Sequence, residues 1–122
     1  MRVLVTGSSG TIGTRLCEKL LERGDDVVGV DWLPNKWQPS VQAITQIVDL
    51  RDAEATMAIT GEFDAIVHLA ANARVYELVE HPRRALDNFT TLFNALELAR
   101  TKNIKRFIFA SSRESYGNIP AE

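Results

Sequence analysis

Three glycines at the spacing Gly7-x-x-Gly10-x-x-Gly13, followed 18 positions later by Asp31, could hold an anion without any basic side chain. Gly7 would permit a tight turn, Gly10 would let the backbone approach a pyrophosphate, and Gly13 would let a following helix pack closely on a sheet. The amides of Ser9, Gly10, Thr11 and Ile12 would then face the ligand, reinforced by the positive end of the helix dipole. Thr14 and Arg15 follow Gly13 where a triphosphate-binding loop would place lysine, which disfavours a mononucleotide triphosphatase. At the end of a neighbouring strand, Asp31 could accept both hydroxyls of an adenosine ribose, which selects NAD. A 2′-phosphate would meet like charge there, and Trp32-Leu33-Pro34-Asn35 supplies no arginine to reverse it. The blander alternative is three glycines that only turn the chain and an aspartate that only ends a strand. Spacing, strand, helix and carboxylate all agree, and that agreement favours the site.

Such residues need a scaffold that ends them on one edge. The β-branched run at 2–5 stops at Thr6-Gly7-Ser8-Ser9-Gly10, which predicts a buried strand and a turn. Ile12, Leu16 and Leu20, with Cys17 and Leu21, recur every four residues and predict a helix capped by Gly24. Apolar runs at 27–30, 43–48, 65–69 and 106–110 predict four more strands. Residues 32–39 read as a loop whose Trp32 and Trp37 either shelter a ligand or simply pack. Asp52 caps a short helix through Ala55, Met57 and Ala58, and Pro82 opens a long helix to about Thr101. The Leu86, Phe89, Phe93 and Leu96 stripe of that helix reads as core, and His68 and Cys17 read as packed residues. Near-continuous apolar strands alternating with helices predict an α/β fold: a Rossmann-like doubly wound parallel sheet, strand order 3-2-1-4-5, helices on both faces.

A length of 122 residues fits a single domain, 1–122. With 45% apolar and 25% charged residues, disordered and collagenous classes are excluded. A net charge of −2 offers no basic footprint, so nucleic acid and anionic membrane are not expected as partners. Cys17 stands alone, which fits a reducing cytoplasm and removes any multi-cysteine metal site; His68 and His81 are too isolated to replace one, so no metal is expected. No signal-peptide core and no apolar stretch of about 20 residues is present, which adds to the cytoplasmic expectation.

The motifs Thr6-Gly7-Ser8-Ser9-Gly10-Thr11-Ile12-Gly13, Asp31, Asp49-Leu50, His68-Leu69-Ala70-Ala71, Asn88 and Phe107-Ile108-Phe109-Ala110-Ser111-Ser112 follow one another in order. Together they resemble the extended short-chain dehydrogenase/reductase family, its NAD-dependent epimerase/dehydratase branch best, from Val3 to Gly117. The resemblance implies an NAD coenzyme with Asp49 against adenine, Leu50 beside it, and Leu69, Ala70 and Ala71 lining the nicotinamide ribose. It adds Ser111 to the coenzyme contacts and gives Ser112 a catalytic hydroxyl, although a serine there could equally cap a loop. Asn88 becomes a second catalytic candidate, while Asp87-Asn88 could equally be polar helix surface. Arg74, Arg83, Arg84 and Arg113 read as solvated, with Arg74 or Arg113 an alternative phosphate contact. The resemblance also implies a homodimer through the helix at 82–101.

The activity so implied is reversible oxidation and epimerisation of a nucleotide sugar, or its dehydration, with transient hydride transfer to NAD. The base of that chemistry is a tyrosine in Tyr-x-x-x-Lys. Four places after Tyr76 stands Glu80, and four after Tyr116 stands Pro120. The expectation is therefore an N-terminal portion of a longer enzyme, inactive by itself, with the catalytic pair beyond Glu122 and strand 5 left as an exposed edge. A stand-alone NAD-binding sensor and an inert fragment remain the alternatives, and residues 117–120 read as a loop.

Overall fold

The computed structural model describes residues 1–117, so most of the loop expected at 117–120 lies outside the described residues. Strands β1 (Arg2–Thr6), β2 (Asp26–Asp31), β3 (Thr45–Ile47), β4 (Ala65–His68) and β5 (Arg106–Phe109) form one parallel sheet in the order β3-β2-β1-β4-β5. This is the doubly wound sheet that the alternating pattern predicts. The connections carry α1 (Thr11–Glu22), α2 (Pro39–Ile44), α3 (Ala53–Met57), α4 (Val75–Glu80) and α5 (Arg83–Thr101), and a 3-10 turn at Arg113–Tyr116 follows β5.

Side chains alternate across each strand, so β1 feeds two cores at once. Val3 and Val5 point to the side of Cys17, Leu20 and Val41, under α1 and α2. Leu4 points the other way, to Val30, Ile66, Ile59 and the Leu98–Ala99 face of α5. Full burial of a side chain such as Leu4 or Ile66 contributes about 1.5–3 kcal/mol. With the central strands covered on both faces, a ligand is left the strand ends, and in sheets of this kind it is the carboxyl edge that forms the crevice.

Several expectations need correction. The strand expected at 43–48 is only Thr45–Ile47, because Pro39 at the first helical turn starts α2 and the Val41–Ile44 pair, three residues apart, turns inward on it. Helix α4 carries no core-forming pattern and is not foreshadowed by the sequence; none of its residues is buried. Ile12 lies at the exposed start of α1, 72% accessible, and the buried face is Gly13, Thr14, Cys17 and Leu20. Most consequentially, the Leu86, Phe89, Phe93 and Leu96 stripe is not core. Phe89 and Phe93 are 72% and 63% exposed, while Asn94, Ala95, Leu98 and Ala99 face the sheet. The inner face uses small alanines for close approach and includes one polar side chain, Asn94, whose Nδ2 donates to the Leu50 carbonyl at 2.8 Å. His68 and Cys17 are buried as expected, and among the described residues β5 pairs only with β4, with Ile108 and Phe109 about half exposed.

Candidate functional site

A cleft of about 440 Å³ opens where the strands end. Gly7, Ser9 and Gly10 after β1, Asp31 at the end of β2, Asp49 and Leu50 after β3, and Leu69, Ala70 and Ala71 after β4 all line it. The strand order makes its layout. β2 and β4 flank β1, so Asp31 and the Leu69–Ala71 segment stand on opposite sides of the glycine turn.

The turn itself is held by its lack of side chains. Gly7 has φ +73°, donates its amide to the Val30 carbonyl at 2.8 Å, and lies so near β4 that a Cβ would meet Ala70 N and the Leu69 carbonyl carbon at 2.8 Å. A Cβ on Gly13 would stand 2.0 Å from the Gly7 carbonyl oxygen. The close approach at Gly13 is thus to the turn that precedes α1. Gly10 is the N-cap of α1 and offers no side-chain cap, and the amides of Thr11, Ile12 and Gly13 have no acceptor among the described residues. Three free N–H groups at the positive helix end form an anion cradle. It begins later in the chain than the sequence suggests: the Ser9 amide is spent on Asp31 Oδ2 at 3.0 Å and the Gly10 amide on Gly7 O at 3.1 Å. The side chains of Thr11 and Ile12 are exposed and stand off the cleft wall.

Asp31 is locked in place. Its Oδ2 accepts from Ser9 and its Oδ1 from the Leu33 amide at 3.0 Å, leaving a lone pair on each oxygen for the cleft. Behind it stands Asn35, which the sequence marks only as a loop residue. Asn35 is buried and uses its whole amide: Nδ2 donates to Ser8 O at 3.1 Å and Thr14 Oγ1 at 2.8 Å, while Oδ1 accepts from the amides of Trp37 and Gln38 at 2.9 and 3.0 Å. It ties the loop bearing Trp32 and Trp37 to the glycine turn. Its only signal in the sequence is an asparagine between prolines, the composition of an Asx turn.

The Asp49 carboxylate is already occupied. Arg51 Nε lies 2.9 and 3.1 Å from its two oxygens, Nη2 lies 2.6 Å from Oδ2, and the Arg51 amide donates to Oδ1 at 3.0 Å. That hydrogen bonding, ahead of charge attraction, holds the Asp49 carboxyl below the usual carboxylate range. Arg51 also reaches Asp87 of α5 at 3.3 Å and stacks 4.9 Å above the Trp32 ring. One guanidinium therefore links three walls of the cleft.

On the β4 side, Thr6 Oγ1 accepts from the amides of Leu69 and Ala70, both at 3.2 Å, and lies 2.9 Å from His68 Nδ1. Burial pushes the His68 imidazole down to about 4. Asn88 borders the cleft, with its amide engaged on one neighbour: Oδ1 accepts from Asn72 N at 2.7 Å and Nδ2 donates to Asn72 O at 3.1 Å. It braces the segment after β4 against α5. Ser111 and Ser112 are exposed beyond β5 and are not part of the cleft wall. Arg74 pairs with Glu77 at 3.0 Å, and Arg84 bonds the other oxygen of the same carboxylate. Among the described residues no cluster of His, Cys, Asp or Glu is placed to hold a metal, and no helix is long and apolar enough to cross a membrane.

A parallel sheet of this order, a side-chain-free helix start at its switch point and an acid at the next strand end define a Rossmann-type domain. The profile of the NAD dependent epimerase/dehydratase family matches residues 3–122, and the chain belongs to that family. A UDP-glucose 4-epimerase of Pisum sativum is 33% identical over 132 aligned positions, covering 95% of this chain and 38% of the relative. The solved structure of Thermus thermophilus UDP-glucose 4-epimerase in complex with NAD superposes with a TM-score of 0.81 at 35% identity, over 92% of this chain and 38% of that one. A dTDP-glucose 4,6-dehydratase from Streptomyces venezuelae, with NAD bound, gives a TM-score of 0.86 at 27% identity, over 100% of this chain and 42% of that one. The chain thus spans about two fifths of the length of these relatives.

Proposed function

We propose that this domain binds NAD across the glycine turn and serves as the coenzyme-binding part of a nucleotide-sugar epimerase or dehydratase, an isomerase of the UDP-glucose 4-epimerase kind. The observation that carries the reading is the cradle of three acceptor-less amides, Thr11, Ile12 and Gly13, with the locked Asp31 carboxylate beside it. The cradle suits a diphosphate and the carboxylate suits a ribose diol; a Cβ at Gly13 would close the turn from which the cradle rises. The family match and the NAD-bound relatives support the same coenzyme.

In this reading Gly7, Ser9, Gly10 and Gly13 shape the diphosphate site, and Thr11 and Ile12 contribute their amides. Asp31 orients the adenosine ribose; Asp49 and Leu50 border adenine; Leu69, Ala70 and Ala71 floor the opposite half, with Ser111 at its far margin. When bound, NAD supplies a reversible hydride acceptor for a sugar carbinol. Ser112 is proposed to hydrogen-bond the reacting hydroxyl and Asn88 to keep the post-β4 segment in register. Neither Tyr76 nor Tyr116 is followed by the lysine that would lower a phenol's pKa for proton abstraction, so residues 1–122 are expected to bind coenzyme without turning over sugar. The reading includes a homodimer through α5, supported by its outward Leu86, Phe89, Phe93 and Leu96, and a reducing cytoplasm, which the single buried Cys17 suits. Titration calorimetry with NAD, NADP and ADP, followed by an assay with UDP-glucose, tests it. NAD binding at least tenfold tighter than NADP is expected. Absence of NAD binding at millimolar coenzyme defeats the reading.

A further inference from the structure

We infer that His68 is a positioning residue for the coenzyme half that lies over β4: as the Nε2–H tautomer it takes the single proton of the Thr6 hydroxyl, and so commits that oxygen's lone pairs to the Leu69 and Ala70 amides. The inference rests on the coenzyme reading above and deepens it.

The tautomer follows from counting protons. A threonine hydroxyl has one hydrogen to donate and two lone pairs to accept with. Thr6 Oγ1 lies 3.2 Å from both Leu69 N and Ala70 N, so each lone pair faces a donor, the Leu69 amide being shared with the Thr6 carbonyl oxygen, also at 3.2 Å. Among the described residues its one remaining hydrogen-bond neighbour is His68 Nδ1 at 2.9 Å. An N–H at that position would bring a third donor to a filled oxygen and leave the hydroxyl proton aimed at other donors. Nδ1 must therefore accept, and the ring proton sits on Nε2. Burial agrees, since His68 is 3% exposed in a setting that favours the neutral ring. The ring is held in position between strands: Phe107 and Phe109 of β5 lie 6.0 and 6.2 Å away, the latter stacked.

The site needs this because of what the same peptide faces on its other side. Thr6 and His68 are register partners at the carboxyl ends of β1 and β4, the two strands that part at the switch point. The Leu69–Ala70 peptide leaves that point between Thr6 Oγ1 and Gly7, which comes so close that a Cβ would meet it at 2.8 Å. Gly7 thus limits the peptide from one side and Thr6 draws it from the other. Leu69 and Ala70 then run directly into the cleft wall. The adenosine side, anchored by Asp31 and Asn35, shares none of these bonds. A defect at His68 should accordingly damage only the half of the site beyond the glycine turn.

Two measurements on the full chain test this. Nitrogen NMR of the ligand-free protein at neutral pH should give His68 a pyridine-type Nδ1 and a pyrrole-type Nε2. Calorimetry with NAD and with ADP, which ends at the diphosphate, should then show His68→Leu weakening NAD roughly tenfold while ADP is unchanged. His68→Asn, whose Oδ1 can replace Nδ1 as acceptor, should restore most of the lost NAD affinity. A pyrrole-type Nδ1 overturns the inference in the unaltered chain, even if His68→Leu does not fold. Equal losses for NAD and ADP, or His68→Asn behaving like His68→Leu, overturn it as well. A wild-type chain that bound neither nucleotide would defeat the coenzyme reading and the positioning role with it, while the tautomer spectrum would still stand, so the two failures are distinguishable.

Discussion

Gly13 and Gly7 touch backbone to backbone: a Cβ added at Gly13 would lie 2.0 Å from the Gly7 carbonyl oxygen, a separation no side-chain adjustment can relieve. At Gly10 the same addition meets that oxygen at 3.3 Å, on an N-cap whose φ of −76° any residue can adopt. Gly13→Ala should therefore lower stability by about 3 kcal/mol, the upper part of the usual overpacking range. Gly10→Ala asks that oxygen to give by only a few tenths of an ångström, so it should lower the urea midpoint far less than Gly13→Ala while lowering NAD affinity by placing a methyl at the mouth of the cradle. Paired denaturation and calorimetry measurements separate the two glycines, and equal loss of stability in both would contradict the assignment.

Asp31 is oriented by the Ser9 and Leu33 amides, so its substitution removes the ribose acceptor and frees two donors together. Asp31→Ala should weaken NAD by roughly 10- to 100-fold, the range of a charged hydrogen bond. NADP should lose less, because the carboxylate that repels a 2′-phosphate is gone. The NAD-to-NADP affinity ratio is the quantity to measure, and it should fall.

Arg51 saturates Asp49, and the pair is partly solvated, 40% and 42% exposed, so its net stability is worth only about 0.2–1 kcal/mol. The more sensitive readout is titration. Asp49 is depressed first by the Arg51 side-chain hydrogen bond, so its contribution to stability is present above the ordinary carboxylate pKa and fades as pH falls through the lowered folded value. In Arg51→Ala the Asp49 carboxyl should titrate closer to its ordinary value, as followed by carbon NMR. The Trp32 emission should change as well, since the guanidinium 4.9 Å from its ring is removed.

His68 acts in the same direction over a higher pH range, above that of the carboxylates. Its folded value, about 4, lies below the ordinary value of about 6.5 because burial disfavours the cation, and the groups touching its ring, Thr6, Phe107 and Phe109, carry no charge. Above the ordinary value folded and unfolded chains bind the same number of protons there. Between that value and about 4 the unfolded chain binds more, so stability falls as pH falls. The loss should reach on the order of 2 kcal/mol by pH 5. Comparing urea midpoints of wild type and His68→Asn at pH 7 and pH 5 isolates it, because the carboxylates are common to both and the wild type should lose more.

What the sequence made legible was the part set by local pattern. Apolar runs alternating with helices predicted all five strands and their order, and Gly7, Gly10 and Asp31 line one cleft, with Gly13 packed on Gly7 behind it. Partner choice was not legible. Ser9 and Gly10 look like free anion donors until the backbone shows their amides spent on Asp31 and Gly7, and Asp49 looks available until Arg51 is seen to fill it. Asn35 and Thr6 hold the cleft walls through bonds to residues 21 to 64 positions away, which no periodicity encodes. In α5 the pattern misled for a different reason. The larger apolar residues mark one face, but the sheet takes the face with Ala95 and Ala99, where a thin surface permits close packing.

That outward face leads to the last prediction. Leu86, Phe89, Phe93 and Leu96 on α5 are all exposed, as are Val75, Tyr76 and Val79 of α4, which packs on α5, and so many large apolar side chains in the open are unusual for a free surface. If they form a homodimer contact, Phe93→Asp should convert a concentration-dependent dimer to monomer in sedimentation equilibrium. Its stability, measured at dilutions where the wild type is already monomeric, should stay within about 0.5 kcal/mol of wild type, as expected for a side chain that is 63% exposed. A large loss of stability under those conditions would instead return Phe93 to the core. A wild type that sediments as a monomer at every concentration would leave the homodimer without support. The two outcomes fail differently, because core packing acts within one chain and dilution cannot remove it, whereas a contact between copies weakens as the concentration falls.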